Sequence, residues 1–171
     1  MKKKAIVWIV LAVVAVACVI AVVSKQKSDA EGIAAVYGTH EITLEAVEQY
    51  RENAALAGGE APQSDRAVVD RLLRSLILLE EAEKRGIAAT EAEIQAQLDA
   101  TKQWYAENEE VKQRTDYYCA SAGISFEEYL RILEAQLPRT IARAKFIDAV
   151  GRQEAEKMVT EALKNVTYYV D

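Results

Sequence analysis

The strongest constraint on this 171-residue chain is a helix stop-and-start signal that it carries twice. Gly86-Ile87 predicts a left-handed glycine stop with an apolar residue behind it, the Schellman arrangement. Three residues on, Thr90-Glu91-Ala92-Glu93 predicts a capping box, in which the Thr oxygen takes the N3 amide and the Glu reaches back. The pattern recurs at Gly123-Ile124, with Ser125 and Glu128 as the second box. Two inter-helix turns are thereby fixed. Seven Gly and two Pro in the whole chain are too few for a turn-rich β-sandwich, so the reading is long helices with short links.

The other elements fall around these turns. Ile33-Ala34-Ala35-Val36-Tyr37, then Gly38-Thr39, then His40-Glu41-Ile42 predicts a tight type II′ hairpin. Thr43 N-caps a first helix to about Ala57, with Leu44, Val47, Tyr50 and Ala54 on one face. After a loop at Gly58–Gln63, a helix over about 65–85 carries Val69, Leu72, Leu73, Leu76, Ile77 and Leu79. That apolar surface is wider than one stripe and marks the most buried helix. Asn108 with Glu109 and Glu110 splits 91–122 into two helices. The next helix starts at Phe126 and shows Tyr129, Leu130, Leu133 and Leu137, with a kink or restart at Pro138 and an end or bend at Gly151. A last helix presents Ala155, Met158, Val159, Ala162 and Leu163. The ending Val166-Thr167-Tyr168-Tyr169-Val170 is dense in β-formers, and a lone strand is unstable, so it is expected to pair with the hairpin near Val36. The fold class is mainly α: a bundle of five to six helices with a small sheet, preceded by one transmembrane helix.

That transmembrane helix is expected at the N-terminus. Lys2, Lys3 and Lys4 precede nineteen apolar residues, Ala5 to Val23. At helical rise these span about 29 Å, the thickness of a hydrocarbon core. Lysines on the N-terminal side keep that end in the cytoplasm and place the remainder outside. The expected organisation is 1–24 cytoplasmic lysines and signal-anchor, 25–32 tether, and 33–171 a helical domain. Cleavage after Ala15-Val16-Ala17 and lipidation at Cys18 are the alternatives, disfavoured because the apolar run continues beyond both. Trp8 is read as lipid-facing or interfacial.

Composition excludes several chemistries. Two Cys and one His cannot supply a four-ligand Cys/His zinc site, an iron–sulfur cluster or a disulfide framework. Apart from the first three lysines, 18 basic residues face 27 acids, so the rest stands at −9 and is ill suited to nucleic acid. Gly58-Gly59 lacks the following Lys-Ser/Thr of a phosphate loop. Glu80-Glu81, Glu109-Glu110 and Glu127-Glu128 point about 100° apart on helices and are read as solvated faces, with Glu80 and Lys84 supporting their helix at i, i+4. His40 is read as a solvated strand residue, because nothing in the sequence identifies an orienting partner. Cys119 is read as a small buried residue, and Asn165-Val166-Thr167, a glycosylation acceptor in form, carries little weight. No catalytic, cofactor-binding or metal residue is assigned.

In order and spacing, three blocks together resemble the N-terminal chaperone domain of SurA- and PrsA-type extracytoplasmic foldases, related in shape to part of trigger factor. They are Ala34-Ala35-Val36-Tyr37-Gly38 with Glu41-Ile42-Thr43; Leu72-Leu73-Arg74-Ser75-Leu76-Ile77 leading to Lys84-Arg85-Gly86-Ile87 and Thr90-Glu91-Ala92-Glu93-Ile94; and Gly123-Ile124-Ser125-Phe126-Glu127-Glu128-Tyr129-Leu130. The resemblance covers about Ile33 to Val150, with Tyr37 where the family usually has Asn. It implies binding of unfolded or partly folded exported polypeptides at a bacterial cell membrane, without cofactor or nucleotide. The isomerising relatives carry a separate parvulin domain, and no block remains here for one, so no enzyme activity is expected. Two alternatives stand beside this reading: an assembly subunit gripping one folded partner, and a degenerate prolyl isomerase. The client-contact candidates are the adjacent pairs Trp104-Tyr105 and Tyr117-Tyr118. Both members of such a pair cannot face one core, so one of each is expected at the surface.

Overall fold

The computed structural model describes residues 32–56 and 59–171. The apolar run Ala5–Val23, the processing candidates within it and the tether up to Glu31 lie outside the described residues. Among those described, no helix is long and apolar enough to cross a membrane.

Strands β1 (Ile33–Tyr37) and β2 (His40–Thr43) pair antiparallel, with Tyr37 opposite His40. Gly38 has φ +58° and no described non-glycine residue has positive φ, the signature of the expected type II′ turn. Helix α1 (Leu44–Leu56) starts on Thr43, whose Oγ1 accepts from the Ala46 N–H at 3.1 Å. Val47, Tyr50 and Ala54 are buried, but Leu44 is 38% exposed and does not join the predicted face. Its N–H donates to the Gly32 carbonyl, which holds it at the end of the sheet.

Helix α2 (Asp65–Lys84) buries Val68, Val69, Leu72, Leu73, Leu76, Ile77, Leu78 and Ala82, and is the central helix that its wide apolar surface predicts. Gly86 (φ +66°) stops it. The Ile87 N–H donates to Ala82 and the Gly86 N–H to Glu83, both at 2.9 Å, which are the two bonds of a Schellman motif. Helix α3 (Glu91–Glu107) opens on a complete capping box between Thr90 and Glu93. Asn108 ends α3 and opens α4 (Glu109–Ala122), its Oδ1 accepting from the Val111 N–H at 3.1 Å. A second Schellman pair closes α4, from Ile124 to Cys119 and from Gly123 to Ala120.

Helix α5 (Phe126–Val150) departs from expectation at its capping box. Ser125 accepts from the Glu128 N–H at 3.1 Å, but the Glu128 carboxylate takes Arg131 at 3.2 Å, so only half of the predicted box forms. The helix also runs through Pro138 without restarting. Pro138 and Glu134 are exposed, so water can satisfy the Glu134 carbonyl left without its donor, while buried Leu133, Leu137 and Ala142 hold both sides. Gly151 (φ +85°) ends α5 and opens α6 (Arg152–Leu163). Strand β3 (Thr167–Tyr168) then pairs with β1, giving the order β2-β1-β3, so the domain closes from both ends of the described chain as expected.

The helices organise two apolar clusters. One joins Ala34, Ala35 and Ile42 of the sheet to α1, α2, Ala142 and Phe146 of α5, and Ala155 and Val159 of α6. The other holds Leu98 of α3, Tyr118 and Cys119 of α4, and Tyr129, Leu133 and Leu137 of α5. Helix α5 is therefore the beam on which the α3–α4 arm is mounted. Lys145 braces the junction, donating to the Ala88 carbonyl at 2.8 Å and to Glu93 at 3.0 Å. A bidentate Arg74–Glu156 pair ties α2 to α6.

Candidate functional site

The four aromatic candidates all lie on the α3–α4 arm, but the structure gives them different tasks. The Tyr105 ring stacks on Phe126, with centroids 3.8 Å apart and planes at 15°. Phe126 in turn stacks with Tyr129 at 6.0 Å, and Tyr129 meets Tyr118 edge-on at 5.8 Å. These offset and edge-on geometries suit the ring quadrupoles, so the series welds α3, α4 and α5 together. The Tyr105 hydroxyl donates to Asp116 at 2.6 Å, closing α3 onto α4, and this bond raises its pKa. Tyr118 is buried, and burial raises its pKa as well.

Tyr105 and Tyr118 are thus built into the frame. Tyr117, 67% exposed, projects from α4, and Trp104 is half-buried on α3. The Tyr117-Tyr118 pair splits between surface and core as expected, but Trp104 and Tyr105 are both half-buried, so that pair does not split. Cys119 is buried beside them, and burial and Asp116 push its thiol pKa up, so it is a neutral apolar side chain, not a nucleophile. Around these rings the arm is thinly packed. Of seventeen residues in α3, only Leu98 and Thr101 are buried.

Sequence reasoning missed Phe126 and Tyr129 as the link between the two candidate pairs. Their spacing marked a helix face, but nothing local shows which rings will meet across helices. It also missed the Gln97 amide nitrogen, buried on α3 without a hydrogen-bond partner.

The reading of His40 needs correction. Its Nε2 lies 2.6 Å from Glu80 Oε1, and each side chain is only about a quarter exposed. Glu80 therefore ties β2 to α2 and is not a solvated helix support, and Lys84 pairs with Glu81 at 2.7 Å instead. Among the described residues no hydroxyl or thiol is hydrogen-bonded to His40, so the pair holds the hairpin in place and lacks the nucleophile of a triad. No group of three His, Cys, Asp or Glu among the described residues is arranged to hold a metal ion.

Among known protein families, the SurA-like N-terminal domain matches residues 1–146. Neither curated proteins nor solved structures gave a match. The family match runs through the hairpin, the central helix, the aromatic arm and most of the beam. This chain belongs to the SurA-like N-terminal domain family.

Proposed function

We propose that the protein is a membrane-anchored, extracytoplasmic chaperone module that holds unfolded or partly folded exported polypeptides without isomerising them. Family membership supports a chaperone-like function in general. The observation that carries the finer reading is the α3–α4 arm. It is joined to α5 by Tyr105, Phe126, Tyr129 and Tyr118, is thinly packed along α3, and offers Tyr117 and the half-buried Trp104. Aromatic faces on a thinly packed arm grip many apolar segments weakly, as a chaperone must. The anchor rests on the run Ala5–Val23 behind three lysines.

The test is suppression of aggregation of several unrelated denatured exported proteins. Wild type is expected to hold them at comparable ratios, and Tyr117→Ala and Trp104→Ala each to raise the required concentration roughly twofold to tenfold, since each aromatic contact is worth about 0.5–1.5 kcal/mol. Retention of a single native partner, with no holding of denatured chains, identifies an assembly subunit instead. Catalysed isomerisation of a proline peptide, abolished by one substitution, overturns the non-enzymatic reading.

A further inference from the structure

Three large hydrophobic residues are exposed among those described: Tyr117, Leu44 and Tyr169. The first belongs to the arm. The other two are far apart in sequence, yet the backbone places both at one end of the sheet. The Leu44 N–H donates to the Gly32 carbonyl at 2.8 Å, and the Tyr169 N–H to the Ala34 carbonyl at 2.8 Å. Leu44 and Tyr169, 38% and 54% exposed, therefore flank the first residues of β1 from its two sides. This is where the chain arrives from the apolar run, and the nine residues Ser24 to Gly32 reach at most about 30 Å.

We infer that this end of the sheet rests on the phospholipid bilayer, with Leu44 and Tyr169 as its contacts in the headgroup–acyl boundary. The inference builds on the anchored reading of residues 5–23. A tyrosine beside an aliphatic residue suits that boundary, its ring in the apolar layer and its hydroxyl in the headgroups. The patch is too small to bind a membrane alone. A nine-residue tether, however, makes the contact intramolecular, with an effective concentration in the millimolar range, and a weak contact is then populated. Charge does not provide the attraction. Glu45 and Asp171 stand at the same end, and the Arg66 guanidinium is engaged 4.0 Å over the Tyr168 ring. Docking this end on the bilayer fixes how the domain stands, so the arm is carried in a set orientation to the membrane and does not swing on its tether.

The experiment uses the full chain with Cys18→Ala and Cys119→Ala, reconstituted into vesicles of phosphatidylethanolamine and phosphatidylglycerol. A nitroxide is placed at Leu44→Cys, Tyr169→Cys or Tyr117→Cys. Labels at 44 and 169 are expected to lose most of their access to a water-soluble nickel relaxant and to gain access to oxygen. The label at 117 should stay open to nickel. The pattern should persist at about 1 M salt, where charge attraction is screened within about 3 Å. Adding Tyr169→Glu should return nickel access to the label at 44. Equal nickel access at 44, 169 and 117, in chains that stay with the vesicles through carbonate washing, overturns the docking while leaving the anchor intact. Release of the chain by carbonate removes the anchor, and the docking falls with it.

Discussion

Phe146→Ala is expected to destabilise the domain by about 4 kcal/mol, within the roughly 3–5 kcal/mol range for emptying a buried aromatic site. Phe146 is 0% exposed, and its ring enters the cluster shared by the sheet, α2 and α6. The Arg85 guanidinium lies 5.2 Å from the ring centroid, so truncation also removes a cation–π contact worth about 0.5–1 kcal/mol at such an exposed site. Against a typical total stability of about 5–15 kcal/mol, that is a large fraction. Urea unfolding of the detergent-solubilised chain should show a lower midpoint with an unchanged slope. The same helix allows a test of cooperativity. Leu137→Ala, two and a half turns earlier in α5, empties the other cluster at a cost of about 2–5 kcal/mol. If α5 couples the clusters as one beam, each variant shifts far-UV and aromatic signals together. Separate transitions would mean that the α3–α4 arm melts on its own.

What the sequence disclosed follows from the range of each interaction. Helix ends are local chemistry: Gly86 needs its left-handed φ, Thr90 needs Glu93 three residues on, and Asn108 needs only the Val111 amide. These features were legible, as was the split of Tyr117 from Tyr118, which the 100° helical step favours but does not impose, since Trp104 and Tyr105 are both half-buried. The closing strand was legible for a different reason, since Val166–Val170 had only one hairpin with which to pair. What stayed hidden depended on partners far along the chain. Glu80 lies forty residues from His40, and nothing near either marks the pair. The capping residue Glu128 had a rival in Arg131, and the salt bridge won. Pro138 is a helix breaker by propensity, yet packing on both sides carries the helix through it. In the candidate site, the four rings were visible but their division of labour was not. Phe126 decides that Tyr105 is frame, and it lies on another helix.

The two tyrosines that anchor the extremes of the domain make it alkali-labile. Burial, with smaller contributions from Cys119 and Tyr118, pushes the Tyr129 pKa from its usual value near 10 up to about 12. Burial, with the hydrogen bond to Asp70, pushes Tyr168 up to about 12 as well. A phenol whose pKa is higher in the folded state stabilises that state fully below pH 10, and the stabilisation is lost as pH climbs towards 12. For Tyr129, deep in the aromatic stack, two units correspond to about 3 kcal/mol. Tyr168 is more open to water, and its share is smaller. The domain is therefore expected to unfold cooperatively between pH 10 and 12, with helix signal and tyrosinate absorbance changing together. Tyr129→Phe keeps the ring against Phe126 and Tyr118 but has no proton to lose, so it should move the transition to higher pH. Tyr168→Phe removes the 2.5 Å bond to Asp70 and should weaken β3 already at neutral pH, a difference that separates a titrating ring from a structural tie. If Tyr129→Phe unfolds at the same alkaline midpoint as wild type, ionisation of the stack is not what limits the fold, and the arm is more open to water than its packing implies.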